Sequence, residues 1–259
     1  MTKETLKVAL VQTSLAWENP EANRKQLENK VSAISADLIV LPEMFSTGFT
    51  MNAAEVAEPM DGATMTWLKT VSKTKNAAIV GSLVIAENNN YYNRLVFIEP
   101  TGKLTTYDKR HTFTLAGEHK VYTAGHNKIT MTYKGWKICP LVCYDLRFPV
   151  WARNTEDYDL LIYVANWPKV RIAAWDALLR ARAIENMAYC IGVNRVGLDG
   201  NSYEYSGHSG AYDVLGNRMD SIPEQLETVE IVTLEKSHIH NYREKLGFLK
   251  DRDTFILKV

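Results

Sequence analysis

Two hydrophobic periods alternate along this chain. Short runs rich in β-branched, aromatic and leucine residues, bounded by polar or turn residues, predict strands over 6–12, 37–41, 78–86, 92–99, 104–107, 129–133, 137–142, 160–165, 189–194, 210–214 and 228–234. Between some of them, apolar residues recur every three or four positions. Leu27, Val31 and Ile34 share a face of a helix over 21–34, and Trp67, Leu68 and Val71 share a face of a helix over 63–75. A third helix, over 172–187, carries Trp175, Leu178, Leu179, Arg182 and Ile184. Pro100-Thr101-Gly102-Lys103 is a turn between two strands. No Pro/Gly/Ser linker, charge block or fixed-period repeat interrupts this order, so residues 1–259 read as one domain. So much sheet exceeds one layer. The economical architecture is α/β, two mixed sheets packed face to face with helices outside, a four-layer α-β-β-α sandwich.

Three predicted strands run directly into residues with chemical potential. The apolar run Ile138-Cys139-Pro140-Leu141-Val142 reads as a buried strand, and Cys143 stands where it gives way to Tyr144-Asp145-Leu146-Arg147-Phe148-Pro149, which can start a helix. Such a corner puts its residue at the carboxyl edge of a sheet, where the free N–H groups of a helix start favour thiolate over thiol. A nucleophile belongs there, although a lone cysteine is more often a small buried hydrophobe. Glu43 follows the strand ending in Leu41-Pro42 and precedes a glycine-containing loop. Lys109 follows another strand, in Tyr107-Asp108-Lys109-Arg110-His111. Alone, Glu43 reads more readily as a strand-terminating charge and Lys109 as part of a solvated basic cluster. Together they place a thiol, a carboxylate and an ammonium at one possible rim of an α/β sheet, where ligand sites concentrate.

Composition removes several alternatives. With 30 basic and 30 acidic residues the formal charge is zero, so no basic field recommends nucleic acid or an anionic membrane as a partner. Residues 1–14 contain only a brief apolar run from Val8 to Val11, too short for a signal-peptide core or a membrane span, and a cytoplasmic location is expected. Cys139, Cys143 and Cys190 are an odd set without metal-ligand spacing, which argues against a disulfide framework or a zinc ribbon. Cys139 and Cys190 lie within apolar runs and read as packing residues. His238 and His240 are spaced as a metal pair could be, but a solvated helix start explains them more simply. Neither a Walker-type loop nor a dinucleotide fingerprint is present.

The segments Leu41-Pro42-Glu43, Tyr107-Asp108-Lys109 and Cys143-Tyr144-Asp145-Leu146-Arg147-Phe148-Pro149 resemble, in order, the three catalytic blocks of the nitrilase superfamily of carbon-nitrogen hydrolases. Ala165-Asn166-Trp167-Pro168, Arg180-Ala181-Arg182-Ala183-Ile184-Glu185-Asn186 and Asn194-Arg195-Val196-Gly197 agree with it, and the likeness runs from Val8 to the segment around Phe255. Within the superfamily, Cys-Tyr-Asp-Leu-Arg-Phe-Pro followed by Asn-Trp-Pro is similar to the omega-amidase branch, which hydrolyses the terminal amide of 2-oxoglutaramate and 2-oxosuccinamate.

The resemblance implies chemistry these side chains can perform. Cys143 would supply the attacking sulfur, and Glu43 would take its proton, pass it to the departing nitrogen and then activate the hydrolytic water. Lys109 would offer its ammonium to the oxyanion, helped by the backbone N–H of Tyr144. Glu118, in Ala116-Gly117-Glu118-His119, matches the family's second active-site acid, which positions lysine and substrate; by itself it reads equally as a loop carboxylate. Arg147, four residues after the cysteine, would grip the substrate's remote carboxylate through two parallel hydrogen bonds, or else pair with Asp145. Asn166 and Trp167 would wall the pocket, although Trp167 serves equally as packing; Phe45, Thr47 and Phe49 are further pocket candidates. No cofactor or metal is needed. The expected partners are a small amide and a second copy of the chain, since dimers built through helices such as those from Ile172 onward are common in the superfamily. A thiol-protease-like pair of Cys143 with His111 is the weaker alternative, because the flanking signatures are missing. Other readings are an aliphatic amidase or carbamoylamide hydrolase without the clamp, a nitrile-hydrolysing enzyme, and a silent binding module on the same fold.

Overall fold

The computed structural model describes residues 4–258; the single-domain reading also covers residues 1–3 and 259, which lie outside the described residues. In chain order the elements are β1 (Thr5–Gln12), α1 (Pro20–Ser32), β2 (Leu38–Val40), α2 (Ala53–Val56), α3 (Ala63–Lys75), β3 (Ala78–Glu87), β4 (Asn90–Ile98), β5 (Leu104–Asp108), β6 (Met131–Tyr133) and β7 (Trp136–Val142). They continue with α4 (Pro149–Ala152), β8 (Leu160–Val164), α5 (Ile172–Asn186), β9 (Tyr189–Val193), β10 (Val196–Leu198), β11 (Glu204–Ser206), β12 (Gly210–Tyr212), β13 (Thr228–Glu235) and α6 (Lys236–Leu246).

Two mixed sheets result. The first has the order β13-β1-β2-β3-β4-β5 and the second β12-β9-β8-β7-β6. In each, three parallel strands form the middle, β1-β2-β3 in one and β7-β8-β9 in the other, and antiparallel strands complete the edges. The pleat explains the near-continuous apolar runs, because a strand covered on both faces must be hydrophobic on both. Val8, Leu10, Leu38, Val40 and Val80 point between the sheets and join Ile138, Leu141 and Ile162 in one core. Their neighbours Ala9, Val11, Ile39, Leu41 and Ile79 point outward, onto Leu27 and Val31 of α1 and Met65, Leu68 and Val71 of α3. On the second sheet, Trp175, Leu179 and Ala183 of α5 do the same covering. The result is the expected layered α-β-β-α sandwich.

Every predicted strand and the three periodic helices are present within a few residues of their expected limits. Three details differ. Strands β10 and β11 were not expected; they are three residues each, and Gly197 and Leu198 are exposed, so no apolar run marks them. The segment after Cys143 is a single 3₁₀ turn, Cys143–Arg147, rather than the start of a regular helix. Pro149 explains the break, since it disfavours helical geometry at the preceding Phe148, which is extended at φ −114 and ψ 86. Ile184, read as part of the packed face of α5, is 46% exposed.

Candidate active site

The three chemical residues arrive at one rim. β2 ends at Val40, and Leu41 continues it by one hydrogen bond to the Val80 carbonyl, 2.8 Å, before the chain turns at Glu43. Met44 then takes a positive φ of 41° and donates its N–H to Ser82 Oγ, 2.9 Å. Lys109 leaves β5 with its N–H on the Asn93 carbonyl, 3.0 Å, while the neighbouring Asp108 is held by Arg94 at 2.6 and 3.0 Å. Cys143 leaves β7 from the second sheet with φ 45°, a left-handed conformation that few residues other than glycine adopt. Asp145 fixes that corner. Its carboxylate accepts from Val142 N at 3.0 Å, Tyr107 Oη at 2.7 Å, His111 N at 3.0 Å and His111 Nδ1 at 2.8 Å, tying the cysteine turn to the loop that carries Lys109.

Behind the sulfur lies a buried charge network. Lys109 Nζ donates to Glu43 Oε1 at 2.8 Å and to Glu118 Oε2 and Oε1 at 2.9 and 3.0 Å, with both carboxylates fully buried. Asn93 Nδ2 bridges the two acids, at 2.8 Å to Glu43 and 3.1 Å to Glu118. The other oxygen of Glu43 accepts the backbone N–H of Asn166 at 2.8 Å, and Asn166 Nδ2 returns a bond to the Glu43 carbonyl at 2.5 Å. Cys143 Sγ donates to the Asn166 carbonyl at 3.9 Å, so one residue touches both acid and thiol. Asn166 Oδ1 is buried and has no partner among the described residues.

The electrostatics follow from burial. Desolvation pushes the Cys143 thiol well above its ordinary range and the Glu43 carboxylate adds to the effect, while Lys109 opposes it. Burial thus favours the thiol over the thiolate expected of a helix start: one short 3₁₀ turn offers too little dipole to offset it. For Lys109, burial would lower the pKa, but Glu118 and Glu43 outweigh it and hold the ammonium above the usual lysine range. Glu118 is raised by burial, with Lys109 pulling down and Glu43 pushing up.

A cleft of ≈ 600 Å³ opens onto Cys143, and Lys109, Tyr144, Arg147, Asn166 and Trp167 line it, as does Phe49, whose ring lies 5.2 Å from Lys109 Nζ. Tyr144 is the second residue of the 3₁₀ turn Cys143–Arg147, whose first backbone N–H groups lack partners within the turn. Arg147 does not pair with Asp145, whose oxygens are taken; its guanidinium stacks 4.8 Å over the Trp167 ring and has no carboxylate partner among the described residues. Phe45 is not in the cleft. It is fully buried against Trp67 in the outer core, and Thr47 is likewise buried with its hydroxyl on the Gly48 carbonyl. Their alternation with Phe49 along a turning loop, not a strand, hid which side each would face. His111 lies against Phe148, 3.6 Å between ring centroids, with Nδ1 on Asp145, so it does not join the cysteine. His238 packs between Tyr189 and Tyr242. Cys139 and Cys190 are fully buried in the strands.

Sequence reading missed Trp17, Phe113, Arg171 and Tyr205, which also line the cleft. Of these only Arg171 carried a signal, a cation shortly after Asn166-Trp167-Pro168.

A carbon-nitrogen hydrolase family model matches residues 7–244. The chain is a carbon-nitrogen hydrolase. It is 44% identical over 98% of its length to omega-amidase YafV of Yersinia enterocolitica, covering 99% of that protein, and 33% identical over 81% of its length to a 2-oxoglutaramate amidase of Bacillus subtilis, covering 83% of it. Its fold superposes at TM-score 0.97 and 41% identity, covering 99% of this chain and 100% of the other, on a CN-hydrolase superfamily protein of Xanthomonas campestris whose crystal structure carries an arsenic adduct in the active site. A branch 10 nitrilase-superfamily protein of Saccharomyces cerevisiae shares the fold of this hydrolase at TM-score 0.84 and 24% identity, with 95% of each chain covered.

Proposed function

We propose that this hydrolase is an omega-amidase, which cleaves the terminal amide of small 2-oxo dicarboxylic acid monoamides, 2-oxosuccinamate and 2-oxoglutaramate, to the acid and ammonia. The single observation that carries the reading is the Arg147 guanidinium, facing the same cleft as Cys143 and lacking any carboxylate partner among the described residues. The names of the omega-amidase and 2-oxoglutaramate amidase relatives support it.

The reaction runs through a thioester. The Cys143 S–H proton passes to Glu43 as sulfur bonds to the amide carbon, and the carbonyl electrons move onto oxygen. That oxyanion is met by the Lys109 ammonium and the Tyr144 N–H. Glu118, bonded to Lys109 through both oxygens, positions the ammonium. Asn166 Oδ1 accepts an N–H of the bound amide. The carbon–nitrogen bond then breaks as Glu43 returns its proton to the leaving nitrogen, which departs as ammonia. Glu43 next takes a proton from water, the hydroxide attacks the thioester, and the expelled sulfur recovers the proton. Because burial favours the protonated sulfur, attack draws on an adjacent base.

The test compares kcat/KM for succinamate, 2-oxosuccinamate and a neutral aliphatic amide in wild type and Arg147→Ala. The clamp predicts that the two anionic substrates lose about ten- to a hundredfold, the worth of a charge-assisted hydrogen bond, while the neutral amide does not. Equal loss on all three substrates would contradict it. A homodimer across the face of α5 that carries Ile184, a single folding unit over residues 1–259 and a cytoplasmic site of action, consistent with three unpaired cysteines, belong to the same proposal.

A further inference from the structure

Arg171 lies in the 3₁₀ turn Lys169–Arg171, between Pro168 and α5, and lines the cleft. Its guanidinium stacks 5.1 Å over the Phe113 ring, which meets Tyr144 edge-on at 4.9 Å, so Arg171 stands two aromatic rings from the proposed oxyanion donor. Its backbone carbonyl accepts the Trp167 indole N–H at 2.8 Å, and the face of that same indole carries Arg147. Trp167 thus braces both arginines. The neighbouring Lys169 is used differently, reaching Glu204 at 2.7 Å and holding the turn to β11. Arg171, like Arg147, has no carboxylate partner among the described residues. Two half-buried guanidiniums thus line one cleft, which Glu18 and Asp199 also line, each over a ring and without a carboxylate partner among the described residues, an arrangement suited to an anion with several acceptor oxygens.

We infer that Arg171 is a specificity-determining residue that, with Arg147, forms a two-guanidinium cradle for the 2-oxo acid head of the substrate, its carboxylate and the adjacent carbonyl oxygen. This rests on the omega-amidase reading. The same pair of charges opposes an α-ammonium, so the cradle selects 2-oxo amides against the corresponding amino-acid amides, asparagine and glutamine.

The experiment uses the whole enzyme in two readouts. The first is kcat/KM for 2-oxosuccinamate and asparagine in wild type, Arg171→Ala, Arg171→Lys and Arg147→Ala. The second, independent of turnover, is protection of Cys143 by oxaloacetate against alkylation by iodoacetamide, followed by peptide mass spectrometry. The cradle predicts that Arg171→Ala loses about ten- to a hundredfold on 2-oxosuccinamate, mostly in KM, that the preference over asparagine shrinks, and that oxaloacetate protects at correspondingly higher concentration. Arg171→Lys, which keeps the charge and loses the fork, falls between. Protection and KM within about twofold of wild type in Arg171→Ala overturn the inference, as does a loss carried by kcat alone or shared equally by both substrates. Failure of wild type to hydrolyse 2-oxosuccinamate or to be protected at all refutes the omega-amidase reading instead, so the two failures are distinct.

Discussion

At the scale of single residues, the cost of burying a thiol beside a carboxylate governs the chemistry. Cys143 is pushed up by burial first and by Glu43 second, and pulled down by Lys109. The signs give a prediction. Glu43→Gln removes a negative neighbour, so the pH midpoint for alkylation of Cys143 by iodoacetamide moves down; Lys109→Met removes a positive one, so the midpoint moves up. A shift in the same direction for both variants would show that the sulfur does not feel this network. Turnover moves differently: Glu43→Gln lowers kcat by on the order of 10²- to 10⁴-fold despite the more acidic thiol, because the proton relay to nitrogen and from water is lost. Retained turnover in that variant would place the base elsewhere. Cys143, Glu43 and Lys109 stood out in the sequence as ordered blocks at strand ends, whereas Glu118, in a short 3₁₀ turn away from any strand, was picked out only through the family resemblance. The place of Phe45 was not legible, because the facing of a loop residue is set by what packs on it, here Trp67 and the close approach of Gly81. Arg171 was not read, because its one signal, a cation shortly after Asn166-Trp167-Pro168, is equally that of a solvated surface charge.

At the scale of elements, two contacts hold the site's walls. Gly192 in β9 lies under α5, and a Cβ there would meet Leu179 Cδ1 at 2.5 Å and Trp175 Cζ2 at 2.6 Å. Gly192→Ala should cost about 1–3 kcal/mol by overpacking, read as a lower denaturant midpoint at unchanged slope. An unchanged midpoint would mean that α5 is free to move outward. Glu227, just before β13, accepts from Ser14 N at 2.8 Å and Lys30 Nζ at 2.9 Å, and so ties β13 to the end of β1 and to α1. Burial would raise its pKa, but Lys30 and Ser14 outweigh that and hold it at about 2, below the usual 4.5. A group depressed on folding contributes stability above its unfolded pKa and loses it as pH falls toward the folded value. The decline in Tm between pH 4.5 and 2 should therefore be shallower in Glu227→Gln; an identical decline would show that this carboxylate does not contribute. The strands and amphipathic helices were readable because burial on both faces, or on one stripe, writes a period into the sequence. β10 and β11 were not, since three-residue strands with exposed ends carry no period.

At the scale of the whole molecule, the sandwich brings its catalytic candidates together from two sheets: Glu43 and Lys109 from the first, Cys143 and Asn166 from the second. Bonds across that seam, from Asn166 to Glu43 and from Tyr107 to Asp145, make the sheets depend on each other. Loss of far-ultraviolet ellipticity and of tryptophan fluorescence should accordingly coincide in a denaturant titration, and two separated transitions would mean that the sheets fold apart. The central claim is that the sulfur carried on the second sheet is acylated by an amide held between the two. It is tested most directly by rapid quenching during turnover of 2-oxosuccinamate, followed by peptide mass spectrometry. The account predicts the mass of the substrate's acyl group on the peptide containing Cys143, and neither adduct nor ammonia in Cys143→Ala. Ammonia release that persists in Cys143→Ala, or an acyl group found on any other residue, would contradict it.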